Sequence, residues 1–476
     1  MLHLILGKAG TGKTTAVMDA IRRAVEEQRG GQILLVPEQY SHEAERELCA
    51  ACGDRLSLYG EVFSFTGLAR RLMSEQGGGA APWLDKGGRL LCMALALAEI
   101  GPRLRVYAAA AYKAELQAML LRELEELKTA CVTPERLARA AELAGDSLGE
   151  KLADLALIAE AYDAVVANGR ADPADRLALL AAQIPASSLG PQTAVFVDGF
   201  IDFTLQEQAV LQALLKQGVE LTVCLTVDAL DSCDELYALS RISARRLLAA
   251  ARELGQEAEL RTMEQQEGRA PALRWFSEEM FRYGSTSFDG GAVPIRLRLA
   301  ESLRAECEDA AAHVLSLVRE SGCRWRDIAI AVRGFEDYRG TLESVFRHYG
   351  IPLFTARREE LLSKPLPALI ALAYELPAGG WAVDDVISCL RTGLTGLSLE
   401  ESDRLADYVF KWQLRGWAWE RPDDWRQHPG GYGAAFDEAA EERLRDINAL
   451  RRRFAGPLLR FAVRRRRRPP RARPPL

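Results

Sequence analysis

No apolar stretch in these 476 residues approaches the ~18 needed to cross a bilayer, so no membrane-spanning segment is expected. The five histidines, at positions 3, 42, 313, 348 and 428, include no pair at metal-ligand spacing. Neither H-E-x-x-H nor G-x-S-x-G occurs, which sets aside zinc-peptidase and nucleophile-elbow chemistry. The guanine signature N-K-x-D is missing too, which tilts any nucleotide preference towards adenine. The nine cysteines are odd in number and irregularly spaced, unlike a secreted disulfide framework. Cys49 and Cys52 form one C-A-A-C on a predicted helix, but no second C-x-x-C completes a four-thiolate site, so semi-buried thiols are expected there over a metal or redox centre. Acidic residues are absent from 464–476, which hold seven arginines. Without that stretch, residues 1–463 carry 54 basic against 67 acidic side chains, a net of −13. Any contact with nucleic acid therefore needs a local groove, since the body offers no general basic field.

What is present begins almost at once. Gly7, Lys8, Ala9, Gly10, Thr11, Gly12, Lys13 and Thr14 spell a complete G-x-x-x-x-G-K-T phosphate-binding loop. The apolar run Leu2 to Leu6 precedes it as a predicted strand, and Thr15 to Gln28 follows with helical spacing at Val17, Ala20, Ile21, Ala24 and Val25. A strand–loop–helix context is what separates this motif from a chance glycine-rich turn. Its glycines let backbone N–H groups converge on phosphates at a helix N-terminus. Lys13 would bring a point charge to the terminal phosphates of ATP, and Thr14 a hydroxyl to Mg²⁺. With the loop this close to the first residue, no signal peptide is expected, and a cytoplasmic location is.

Strand and helix alternate along the chain, which predicts an α/β fold with a RecA-like parallel sheet wound by right-handed crossovers. The first nucleotide-binding domain is expected from residues 1–85 and 183–290. Its strands are Leu2–Leu6, Gln32–Val36, Glu61–Phe65, Thr193–Asp198 and Val219–Val227, while the stretch from Leu254 to about Gly291 resists assignment. Residues 86–182 turn alanine- and leucine-rich and read as a helical insertion. A second RecA-like domain is expected to start over 291–363, with strands at Ile295–Leu299 and Asp327–Val332, followed by a second helical insertion over 364–461. Residues 462–476 offer no apolar face and are expected to be an unstructured Arg/Pro tail, either a basic nucleic-acid arm or a truncated or out-of-frame end.

A nucleotide hydrolase needs a strand-end acid for the Mg²⁺ shell, normally beside a general base. Asp198 fits the first role at the end of Val195–Phe196–Val197. The next residue, Gly199, stands where most helicase-type motors have the glutamate base, so binding with weak or no hydrolysis is expected; Glu207 is an alternative base. Arg333 follows the run Ile328–Val332, either as an arginine that reaches a terminal phosphate across a cleft or as a surface residue. Phe63 and Phe65 are expected to pack in the core and not to stack on bases.

These stretches together resemble the B subunit of the AddAB/RexAB-type ATP-dependent helicase–nuclease. The likeness rests on GKAGTGKT (7–14), LLVPEQ (34–39), VFSFTGLARRL (62–72), VFVDGFIDFTLQEQ (195–208), RDIAIAVRGFEDY (326–338) and LRTGLTGLSLEESDRLADYV (390–409). It implies a superfamily 1 helicase-like fold in a heterodimer that processes DNA double-strand breaks for recombination. It further implies ATP, Mg²⁺ and DNA as ligands and an A-subunit motor as partner. In the family a C-terminal nuclease carries cysteines that bind an iron–sulfur cluster. This chain ends before that region, so neither nuclease carboxylates nor cluster cysteines are assigned, and nuclease activity is not expected of it. The alternative is a non-hydrolysing nucleotide-binding scaffold; a small-molecule kinase is disfavoured by the insertion and the second α/β stretch.

Overall fold

The computed structural model describes residues 1–75, 77, 83–232, 235–264, 270–281, 286–291, 293–355, 361–433 and 435–467, with side chains to residue 462. Two compact units divide the chain, Met1–Arg298 and Leu299–Leu476.

The first unit is built on six strands: β1 (Leu2–Gly7), β2 (Gln32–Leu35), β3 (Gly60–Phe63), β4 (Ala194–Val197), β5 (Glu220–Thr226) and β6 (Ala258–Thr262). They lie in the order β3-β2-β4-β5-β1-β6, and every pairing is parallel. Parallel sheets are buried on both faces, and alternation along each strand divides the side chains between two cores. Leu2, Leu4 and Leu6 share one with Leu68, Leu72, Leu211 and Leu247 of covering helices. Ile5, Leu34, Phe196 and Cys224 point the other way, onto Val17, Ile21 and Leu48. The expected α/β parallel sheet is thus present. It gains a sixth strand, β6, within the unassigned stretch; its five residues are all exposed, so it presents no apolar run to read.

Between β3 and β4 the chain leaves the sheet for a set of helices. Lys86–Ile100, Ala114–Thr129 and Asp146–Val166 close their own core around Met93, Leu97, Leu120, Leu124, Ile158 and Tyr162. The excursion returns to where it began: Trp83 and Ala171 form a β-bridge, and the Leu84 N–H donates to the Ala171 carbonyl at 2.9 Å. At the return point Asp172, 1% exposed, pairs with Arg89 at 3.0 Å and Lys128 at 3.4 Å. Lys128 also reaches Asp163 and Asp175, each at 2.8 Å. The helix Arg176–Gln183, read from sequence as part of the insertion, instead buries Leu180 in the sheet's core.

In the second unit, helices Leu303–Glu320 and Phe335–His348 pack through Cys307, Ala311, Leu342 and Phe346. A separate helical core gathers Trp381, Trp419 and Trp425. The two segments expected as strands form no ladder among the described residues. Leu297 and Leu299 are fully exposed, and an extended segment without a neighbour has no partner for its backbone groups. The tail expected to be unstructured from 462 is helical as far as Arg467, within Glu438–Arg467. Arginine is a good helix former, and extending an existing helix avoids the nucleation cost. Residues 468–476 lie outside the described residues.

Candidate nucleotide-binding site

In an all-parallel sheet, every strand delivers its following loop to the same edge. At that edge β1 runs into the glycine-rich loop and the helix Lys13–Glu26. Gly12 caps this helix with φ 86°, a left-handed conformation that glycine adopts at no steric cost, and no side chain caps its first turn. The helix therefore begins with backbone donors that lack intrahelical partners. The loop is rooted by the Val227 N–H, which donates to the Gly7 carbonyl at 3.3 Å, and closed by Thr11, whose hydroxyl donates to the Lys8 carbonyl at 3.0 Å.

Lys13 is buried, and its ammonium donates to the carbonyls of Gly7 (2.7 Å) and Lys8 (2.9 Å). Burial lowers its pKa from the ordinary lysine value, against the opposing pull of Cys224 and Asp198. Among the described residues no carboxylate forms an ion pair with this ammonium, and an arriving polyphosphate would supply one. Two strands away, the Asp198 N–H donates to the Leu35 carbonyl at 3.0 Å, which seats Asp198 at the end of β4. Thr14 Oγ1 donates to Asp198 Oδ2 at 2.6 Å. A hydroxyl and a carboxylate held together in this way are hard oxygen donors of the kind Mg²⁺ prefers. The structure thus brings Thr14 of the loop to Asp198, and this donor set fits a Mg²⁺–triphosphate.

Gly199 follows at φ 83°, and a Cβ there would lie 3.2 Å from Pro37 Cδ. The position that carries a glutamate base in many motors is thus occupied by a backbone conformation and a crowded neighbour that disfavour any side chain. Glu207, the alternative base, is committed elsewhere: its carboxylate accepts from the Thr204 N–H at 2.8 Å in a capping box that starts the helix Leu205–Lys216. Arg333 lies in the second unit, exposed, between Val332 and the helix Phe335–His348, and the geometry above is built without it. Phe65 is 4% exposed and packs edge-on against Phe200 at 5.5 Å, so it is a core residue that ties the loop after β3 to the loop after β4; Phe63 is half-buried against the same core.

Sequence reasoning missed Asp228, just beyond β5. It pairs with buried Arg241 at 3.1 Å. Burial alone would raise its pKa, but hydrogen bonds from Ser232 and the Ala229 backbone, with the charge of Arg241, bring it below the usual carboxylate range. The run Thr222–Val227 ending in Asp228 repeats the apolar-strand-then-acid pattern of Asp198, and that repetition was the available signal. Cys49 and Cys52 are free, one exposed and one half-buried. No three His, Cys, Asp or Glu side chains group as metal ligands, and no helix is long and apolar enough to cross a membrane, among the described residues.

The parallel sheet, with its glycine-rich loop and strand-end carboxylate at one edge, defines the RecA-like α/β class. The chain belongs to the family described as ADDB, N-terminal, which matches residues 4–277. Its relatives include proteins named as the B subunit of an ATP-dependent helicase/deoxyribonuclease. One from Desulforudis audaxviator is 37% identical over 97% of this chain and 42% of its own length. Those from Heliobacterium modesticaldum and Acetivibrio thermocellus are 34% and 29% identical, over 97% of this chain and 40% and 41% of theirs. The chain thus spans about two-fifths of the length of the relatives it matches.

Proposed function

We propose that this chain is a nucleotide-binding, DNA-engaging part of the B subunit of a heterodimeric ATP-dependent helicase–exonuclease, acting in the cytoplasm on double-strand breaks destined for recombinational repair. The observation that carries the reading is the 2.6 Å contact between Thr14 and Asp198, at the mouth of a loop whose buried lysine donates to the Gly7 and Lys8 carbonyls. In this reading residues 7–14 cradle the phosphates of ATP, and Thr14 with Asp198 hold Mg²⁺. The ion neutralises charge on the terminal phosphoryl group when bound. Lys13 supplies the complementary charge from below. Turnover is slow because position 199 offers no carboxylate. The names of the relatives support DNA and an A subunit as partners. Nuclease activity forms no part of the reading; Mg²⁺-dependent degradation of linear DNA in proportion to purified chain would count against it.

The test is calorimetry with Mg·ADP, and ATP turnover with and without single-stranded DNA, on the chain and on Lys13→Ala. Binding heat and DNA-stimulated turnover, both lost in the variant, are expected. No heat with well-folded protein would sink the reading. A second reading, a nucleotide-binding scaffold without turnover, is favoured by the left-handed Gly199. DNA-stimulated turnover that depends on Lys13 would remove it.

A further inference from the structure

The sheet edge that presents Asp198 also presents the end of β2. Strands β2 and β4 are direct neighbours, with Leu35 paired to Val197. The turn after β2 is Pro37–Glu38–Gln39–Tyr40, closed by the Tyr40 N–H donating to the Pro37 carbonyl at 2.9 Å. The Ser41 hydroxyl donates to the Glu38 carbonyl at 2.9 Å, and the Tyr40 phenol to Glu47 at 3.0 Å. This turn is therefore fixed, and it leans on the site: Pro37 Cδ sits 3.2 Å from where a side chain at position 199 would begin. Tyr40 is within electrostatic reach of Asp198. Its phenol is pushed up to about 12 by burial first, then by Glu47, with the charge of Asp198 adding to both.

The β2 turn thus fills the space that the missing residue-199 side chain would enter, and the residue after Pro37 is a glutamate. Four other acids near this edge have partners. Asp198 receives the Thr14 hydroxyl, Asp228 is paired with Arg241, Glu207 caps its helix and Glu47 holds Tyr40. Glu38 is exposed, and its carboxylate has no hydrogen-bond or ion-pair partner among the described residues.

We propose that Glu38 is the proton acceptor for ATP hydrolysis by this chain, supplied from the strand beside β4 in place of a residue following Asp198. The inference rests on the nucleotide-binding reading above. The oxygen of water bonds to the terminal phosphorus as the bond from that phosphorus to the bridging oxygen breaks. ADP leaves with the electron pair of that bond. The water proton passes to the Glu38 carboxylate and from there to solvent. An exposed acceptor on a turn is solvated and poorly fenced from bulk water, which accords with slow chemistry.

The experiment measures single-turnover ATP cleavage, with and without single-stranded DNA, and Mg·ADP binding by calorimetry, on the full chain. Glu38→Gln is expected to keep the wild-type binding heat and lose about a hundredfold or more in cleavage rate. Glu38→Asp should recover part of that rate. Asp202→Asn, which changes another exposed acid on the same edge, should cleave as the wild type does. Undiminished cleavage by Glu38→Gln, or intact binding with no cleavage by the wild type, overturns the assignment of Glu38 and leaves the nucleotide-binding reading standing. Absence of binding heat in the folded wild type brings down both.

Discussion

Restoring the helicase-type acid with Gly199→Glu tests whether this position lacks only a functional group or also the room for one. The backbone there has φ 83°, and a left-handed non-glycine residue costs about 1–3 kcal/mol. The new Cβ would also meet Pro37 Cδ at 3.2 Å, so the β2 turn must yield by a few tenths of an ångström. Nearly all of this penalty resides in the backbone and the first side-chain carbon. Gly199→Ala should therefore lose about as much stability as Gly199→Glu, and Gly199→Asn less, since asparagine tolerates the left-handed region. At roughly 2–4 °C per kcal/mol for a domain of 150–250 residues, a fall of several degrees in Tm is expected. Scanning calorimetry on the three variants, with ATP turnover on each, provides the readout. The glutamate should not accelerate hydrolysis, because accommodating it displaces the turn that flanks Asp198. A Gly199→Glu protein that melts with the wild type and hydrolyses ATP a hundredfold faster would refute this reasoning.

Thr14→Val should remove the enhancement of ADP affinity by Mg²⁺ while metal-free ADP still binds, as seen by titration calorimetry with and without the ion. Asp172→Ala should destabilise the helical insertion by about 3 kcal/mol in denaturant unfolding, because Arg89 and Lys128, both largely buried, each lose a partner. Asp228 has a folded pKa below its unfolded value of 3.8, so its ion pair with Arg241 contributes fully above that value and is lost as pH falls through the more acid range. Asp228→Asn should accordingly be less stable at neutral pH and show a shallower acid limb in urea unfolding measured against pH.

Five of the six strands were legible in the sequence: β1, β2, β4 and β5 as short, mostly apolar and mostly buried runs, and the edge strand β3 within the expected run Glu61–Phe65. β6 was not, because an edge strand with five exposed residues needs no apolar pattern and takes its order from β1 alone. The loop and Asp198 were readable because both are local signals, whereas their 2.6 Å contact joins residues 184 apart. The capping role of Glu207 was also legible: Thr204-Leu205-Gln206-Glu207 is itself a capping-box sequence, a local signal that engages the carboxylate at the helix start. The absent base at 199 could be read, but not the left-handed backbone that keeps side chains out, which depends on how β4 meets the turn from β2. The segments at Ile295–Leu299 and Asp327–Val332 have strand-like patterns, yet a pattern supplies only one side of a ladder.

The bridge between Trp83 and Ala171 makes the helical excursion a closed detour, entered and left through a single doorway. A chain that exits and re-enters side by side can be cut out there and rejoined by a short linker without stretching the remainder. The sheet can thus exchange one appended helical module for another, provided the replacement also packs where the helix Ala114–Thr129 meets the helix Leu205–Lys216.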